Sequence, residues 1–346
     1  MAYTTIKKSS DYFNTKLYTG TGAELAITGV GFQPDWTWIK RRDAVANGGM
    51  FDNVRGATKL LSSSQTDGEQ TLAQSLKSFD SDGFTLGTGT NGYVNTSGST
   101  TVAWNWLASN TTASNTDGDI TSTVSTNTTS GFSIVSYTGN STAGATVGHG
   151  LGEVPKMIII KNRDDGTAEW NVYHGSLGAT KGLKLNTADS AFTATNRWND
   201  TEPTSSVFTL GNSTDINDNA ENYIAYCFAE KKGFSKFGSY TGNFSTDGTF
   251  VYCGFKPAFI MAKAYSRSED WYVFDNQRIG YNPDNEQLYA NSSTTEGTLD
   301  YIDILSNGFK LRQANYGLNG PSETYIYMAF AESPLVGTNN TPATAR

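Results

Sequence analysis

Three prolines in this chain are each followed by a short run that is apolar almost without interruption: Asp35-Trp36-Thr37-Trp38-Ile39 after Pro34, Lys156-Met157-Ile158-Ile159-Ile160 after Pro155, and Ala258-Phe259-Ile260-Met261-Ala262 after Pro257. The second and fourth positions of each run are large and apolar, and most of the positions between them are apolar as well. That pattern predicts a central strand covered on both faces. Proline at the first strand position removes no ladder bond. Gly83-Phe84-Thr85-Leu86, Val207-Phe208-Thr209-Leu210 and Gly308-Phe309-Lys310-Leu311 alternate instead, predicting short strands with Phe and Leu on one face. The last strand of each set carries three bulky side chains at period two: Val102, Trp104 and Trp106, then Ile224, Tyr226 and Phe228, then Ile326, Met328 and Phe330. Each buried ring of this kind contributes on the order of 2 to 3 kcal/mol.

These elements recur in a fixed order. Tyr-Thr-Gly opens each set, at Tyr18, Tyr137 and Tyr240; a lysine stands six residues past each proline, at Lys40, Lys161 and Lys263; and the set closes on alanine at Ala108, Ala229 and Ala331. From the opening Tyr to the closing Ala is about 90 residues each time, too long for a solenoid and right for a compact domain. The prediction is an all-β chain of three tandem antiparallel β-sandwich modules, jelly-roll-like, of about 100 residues each. The modules span 13–109, 132–231 and 232–334. An N-terminal arm (1–12), a Ser/Thr/Asn-rich linker (110–131) and a polar C-terminal tail (335–346) complete the chain. The linker composition predicts a loose connection that supplies no core and lets the first module sit apart. Glu230 to Lys236 leaves no slack between the second and third, and the arm is expected to order only by docking.

Each lysine past the proline shares side-chain parity with the large residues before it, so its head is expected at a solvated rim. Phe51-Asp52-Asn53-Val54-Arg55 and Phe274-Asp275-Asn276-Gln277-Arg278 agree, while the middle copy has Val172-Tyr173-His174-Gly175-Ser176. An Asp and an Arg retained together and lost together predict a local ion pair bracing a turn.

Composition narrows the chemistry. Glycine is abundant at 36 residues and charged residues make up only 17%, which favours strands joined by tight turns over amphipathic helices. The net charge of −8, without a basic block, gives nucleic acid no electrostatic footing. Met1 to Leu17 lacks the apolar core of a secretory signal, and no apolar stretch approaches the roughly 20 residues of a spanning helix, so a soluble, cytoplasmically made chain is expected. Cys227 and Cys253 occupy non-equivalent places in two copies and predict buried free thiols. No paired carboxylates at glycosidase spacing and no nucleophile elbow are present, and His149 and His174 adjoin glycines as turn or surface histidines. Asp215 to Glu221 is rich in oxygen ligands but lacks the glycine and terminal glutamate of a calcium loop, and predicts a hairpin turn. No catalytic, metal or cofactor site is expected. Trp198, among polar neighbours and without a counterpart in the other copies, is the candidate for stacking on a glycan, with packing against an adjacent domain as its alternative.

Tyr137-Thr138-Gly139-Asn140, the run His149-Gly150-Leu151-Gly152-Glu153-Val154-Pro155-Lys156 leading to Ile158-Ile159-Ile160-Lys161, and Tyr223-Ile224-Ala225-Tyr226-Cys227-Phe228-Ala229-Glu230 resemble a repeated domain of virion structural proteins in marine tailed bacteriophages. The resemblance covers residues 13–334 and is most specific in the second and third copies. The first departs from it, with Trp36 and Trp38 after Gly31-Phe32-Gln33-Pro34 and without the Ala-Glu pair of Ala229-Glu230 and Ala331-Glu332. It implies a virion component, most often a tail fibre or other structural protein, without catalytic residues. With the triplicated module, the polar linker and the absence of catalytic motifs, the chain is expected to be a non-enzymatic exterior tail or tail-fibre protein involved in host attachment, and otherwise a capsid decoration or head-fibre protein. For an attachment protein the expected partners are other virion proteins, a homotrimeric assembly and a host surface glycan, since multivalent display lets weak glycan contacts sum to firm attachment.

Overall fold

The computed structural model describes residues 4–89, 94–278 and 282–334; the C-terminal tail expected at 335–346 lies outside them. The chain is nearly all β, in antiparallel sheets. In each repeat the opening strand pairs with the closing strand, and the closing strand pairs with the one that follows the proline. In the first repeat these are Phe13–Thr19, Thr100–Trp106 and Trp36–Arg41, continued by Gly49–Asp52 and Lys59–Ser62. The second repeats the order with Phe132–Thr138, Asn222–Ala229, Pro155–Asn162, Asn171–His174 and Lys181–Lys184. The third does so with Ser235–Thr241, Thr324–Pro334, Phe255–Ala264, Tyr272–Asp275 and Asp284–Tyr289. The registers match as well, setting Trp36 against Trp106, Met157 against Phe228, and Phe259 against Phe330.

Alternation splits every large sheet between two apolar layers. On one side, Ile39, Phe51 and Phe84 pack with a short pair made by Leu25–Thr28 and Gly83–Leu86, and the other repeats build the same layer around Phe208 and Phe309. On the other side the three sheets meet one another. Trp36, Trp104, Phe132, Met157, Phe228, Phe259, Met328 and Phe330 belong to one cluster drawn from all three repeats. The Trp36 ring stacks on Tyr226 at 4.5 Å, Trp106 meets Phe259 edge-on at 5.5 Å, and Phe228 meets Phe330 at 5.9 Å. The strands after the prolines are therefore covered on both faces, as their sequence predicts.

This shared core corrects two expectations. The first repeat does not sit apart, because its inner face is the partner of the other two. Nor is the linker loose: Ser122–Asn127 pairs with Phe132–Thr138, Ala113–Asn115 adds a further edge strand, and Ile120 and Val124 are buried. Two apolar side chains and a backbone ladder suffice to dock an edge strand, a requirement too small to register in composition. The arm docks on the same body, with Ile6 in the shared core and Tyr12 edge-on to Phe234 at 5.9 Å.

The packing is also compensated between copies. Trp170 and Trp271 precede the strands Asn171–His174 and Tyr272–Asp275, while the first repeat has Gly48 in that place and Trp38 where the others have Ile159 and Met261. A side chain on Gly48 would begin 2.9 Å from the Trp38 indole nitrogen, so one indole is exchanged for the other within the same layer.

Candidate functional site

The groups most able to do chemistry lie at the seams between repeats. Lys40, Lys161 and Lys263 sit on the inner face as their parity predicts, but they are buried rather than solvated at a rim. The neighbouring repeat covers the place where each strand leaves the core. Lys40 Nζ donates to Ala46 O at 2.9 Å and Ser292 O at 2.7 Å; Lys161 Nζ donates to Ala168 O at 2.9 Å and Thr66 O at 2.8 Å; Lys263 Nζ donates to Ala264 O at 2.6 Å and Ala188 O at 3.2 Å. In every case one acceptor belongs to another repeat. The first staples to the third, the second to the first and the third to the second, which closes the circle. Burial lowers all three ammonium groups to about 8.

The Asp-Arg pairs serve the same seams. Asp52 and Arg55, and Asp275 and Arg278, form the expected local ion pairs at 2.5 and 2.6 Å with all four side chains buried. Each aspartate also accepts a hydrogen bond from the closing strand of another repeat: Tyr226 Oη to Asp52 at 2.8 Å, and Trp104 Nε1 to Asp275 at 2.8 Å. At the third seam the corresponding closing-strand residue is Met328, which has no donor, and the residue in the aspartate's place is His174. His174 Nε2 lies 3.2 Å from Tyr327 O and its Nδ1 accepts from Ser176 N, so the imidazole is neutral, with burial holding its pKa down to about 4. A buried aspartate without the donor and without an arginine would be an uncompensated charge. One missing donor thus accounts for the absence of both charges from the middle copy.

A further pair of contacts follows the same logic. Glu69 N donates to Arg163 O and Glu296 N to Arg42 O, and both carboxylates pair with those arginines at 2.8 and 2.7 Å. The equivalent backbone bond at the remaining seam joins Ala191 N to Tyr265 O, where side-chain packing replaces charge.

The Tyr-Thr-Gly signature has a different task. The three tyrosine hydroxyls donate to Val94 O, Ile216 O and Leu318 O at 2.5, 2.7 and 2.9 Å. The next residue is Asn in each copy: Asn95, Asn217 and Asn319, all fully buried. Each asparagine accepts from the backbone just past the glycine, at Thr21, Asn140 and Asn243, and donates to two carbonyls. The glycine is fixed by close approach, since a Cβ at Gly139 would fall 2.2 Å from Asp218 O and one at Gly242 2.3 Å from Gly320 O. Sequence reasoning missed these asparagines. Their signal was an Asn six residues before Thr101, Tyr223 and Tyr325 in each copy.

Other expectations fare unevenly. Cys227 and Cys253 are buried free thiols, and burial pushes the Cys253 thiol up to about 12, so neither is a nucleophile at neutral pH. His149 is buried, not on the surface, and its ring nitrogens are engaged by Thr204 O and Leu151 N. His174 is buried in the seam just described. Asp215 to Glu221 is not a hairpin turn: Thr214–Asn217 forms one helical turn capped by Ser213, and Asp215 pairs with Arg197. Trp198, the glycan-stacking candidate, ends the short helix Thr195–Trp198 at 2% exposure, packed edge-on to Tyr173 at 5.8 Å in its own repeat. The apolar ring outweighed its polar sequence neighbours, and no face remains for a sugar. Among the described residues no group of three or more His, Cys, Asp or Glu could hold a metal ion, and no helix is long and apolar enough to cross a membrane.

No curated protein and no solved structure matches the chain. One family model does, over residues 8–334, and it takes in all three repeats and the linker as a single unit, as the shared core requires. The chain therefore belongs to the family described as Domain of unknown function (DUF7483).

Proposed function

We propose that this protein is a non-enzymatic bacteriophage virion structural protein, an exterior tail or tail-fibre component involved in host attachment, built of three tandem jelly-roll-like β-sandwich modules fused into one body. The observation that carries this reading is the use made of the reactive groups: buried lysines, carboxylates and His174 are committed to carbonyls and counter-charges at the seams. Such a chain spends its buried polar chemistry on holding a shape. The resemblance of its Tyr-Thr-Gly and closing-strand motifs to a repeated virion domain supplies the context. Its partners are other virion proteins and a host surface glycan, and its net charge of −8 speaks against nucleic acid. A homotrimer of whole chains would meet through outer surfaces, since the inward faces are already buried within one chain.

Capsid decoration is the second reading. The circular closure of three like units favours it, because such a body suits a threefold position on a shell. Quantitative mass spectrometry of purified particles before and after tail removal separates the two. Loss of the protein with the tails is the expected result; retention on tailless heads in hundreds of copies would overturn the tail assignment. Release of reducing sugar from host envelope polysaccharide, abolished by a carboxylate substitution, would overturn the non-enzymatic one.

A further inference from the structure

The four exposed aromatic side chains among the described residues, Phe244, Phe250, Tyr252 and Tyr316, all belong to the third repeat. Phe244 is the most unusual, with a backbone φ of 52°. Equivalent positions, each donating its N–H to the carbonyl of the buried asparagine, are Gly22 at φ 70° and Ser141 at φ 55°. This left-handed conformation suits glycine and disfavours a bulky side chain, so a phenylalanine there is a strained placement that holds its ring out at the surface. Its ring lies 5.2 Å from that of Tyr316 at an interplanar angle of 43°, and the two are 42% and 43% exposed. In the second repeat the residue in the place of Tyr316 is Thr214, the first of the matching helical turn.

The platform is rigid. Asn319 holds the Phe244 loop from both sides, accepting from Asn243 N and donating to Ser245 O, and Tyr325 Oη donates to Tyr316 O at 2.7 Å. Arg267 lies 4.2 Å over the Tyr316 ring, its charge answered by Glu269 and Glu323. A backbone tied down in advance loses little freedom on binding.

We infer that Phe244 and Tyr316 form a carbohydrate-stacking platform for a neutral hexose unit of a surface polysaccharide. Two tilted, half-exposed rings offer an apolar surface to the C–H face of a pyranose, and the exposed Asn243 beside Phe244, whose amide keeps a second proton and lone pair beyond its turn contacts to Asp247 O and Ser245 N, supplies a hydrogen-bonding group for a hydroxyl. An anionic polymer is disfavoured, because the arginine is already neutralised and the chain carries a net charge of −8. The assignment deepens the attachment reading and rests on it for its biological sense. Binding is nonetheless read on the purified chain, so it stands or falls separately from the protein's place on the particle.

The test is native electrophoresis of the full chain through gels cast with dextran, galactomannan or mixed-linkage β-glucan, with dextran sulfate as the anionic comparison. The wild type should be retarded by at least one neutral polymer and not by dextran sulfate. Phe244→Ser with Tyr316→Thr, which writes the second repeat's residues into the third, should weaken apparent affinity by about tenfold or more with the melting temperature maintained. Phe244→Leu should weaken it as well, separating ring stacking from general apolar contact. Absence of retardation by every neutral polymer, or equal retardation of wild type and double variant, would overturn the inference.

Discussion

Lysine burial at the seams is the residue-scale feature with the clearest consequence. Lys161 titrates near 8 in the fold against 10.5 in the open chain. Between those values the unfolded chain binds more protons, so stability contributed by this position rises with pH, whereas below about 8 both states hold the charge and the burial penalty is constant. The stability difference between wild type and Lys161→Met, read from urea unfolding, should move in favour of the wild type by about 2 kcal/mol between about pH 7.5 and about pH 9.5. An unchanged difference would mean that the ammonium is solvated. His174 follows the same sign in a lower window. Its depressed pKa of about 4 makes the stability it supports full above about pH 6.5, and that stability falls as pH drops toward 4. His174→Asp, which restores the residue of the other two seams without the donor or the arginine, should cost about 3 to 5 kcal/mol, measurable in the same unfolding assay at neutral pH.

The strands that the residues build were legible in sequence wherever alternation or a continuous apolar run marked them, as at Trp36–Arg41 and its counterparts. What escaped was everything decided by a second surface. The parity of Lys40, Lys161 and Lys263 placed them on the right face, but only the neighbouring repeat determines that the face is covered. Ser122–Asn127 carries too few apolar residues to announce a strand and depends on the edge of Phe132–Thr138 to become one. Trp198 was read from its polar neighbours, although an indole of that size is decided by the pocket available to it. The exposed pair of Phe244 and Tyr316 was hidden for the converse reason, since its meaning lies in a left-handed backbone that no composition reports. The Tyr-Thr-Gly element itself has a definite mechanical prediction. Gly139→Ala forces a Cβ against Asp218 O and Asn217→Ala strips the loop of its clamp. Each should destabilise by about 2 to 4 kcal/mol, with hydrogen exchange rising first at Asn140 and Thr142.

Across the whole molecule, three homologous units are joined as a closed circle within one chain. Each supplies a lysine to a neighbour's carbonyl and a closing strand to a neighbour's Asp or His, and all three contribute rings to one interior. The repeat was plain in the sequence, but its closure was not, because serial copies of a domain read alike whether they are strung out or packed face to face. Closure makes the inner face of each unit dependent on the other two: a separated repeat would expose the side of its large sheet that bears Trp36, Met157 or Phe259. Differential scanning calorimetry of the intact chain tests this most directly. One transition, with calorimetric and van't Hoff enthalpies in agreement, is the predicted result; two or three resolved transitions assignable to separate repeats would contradict it.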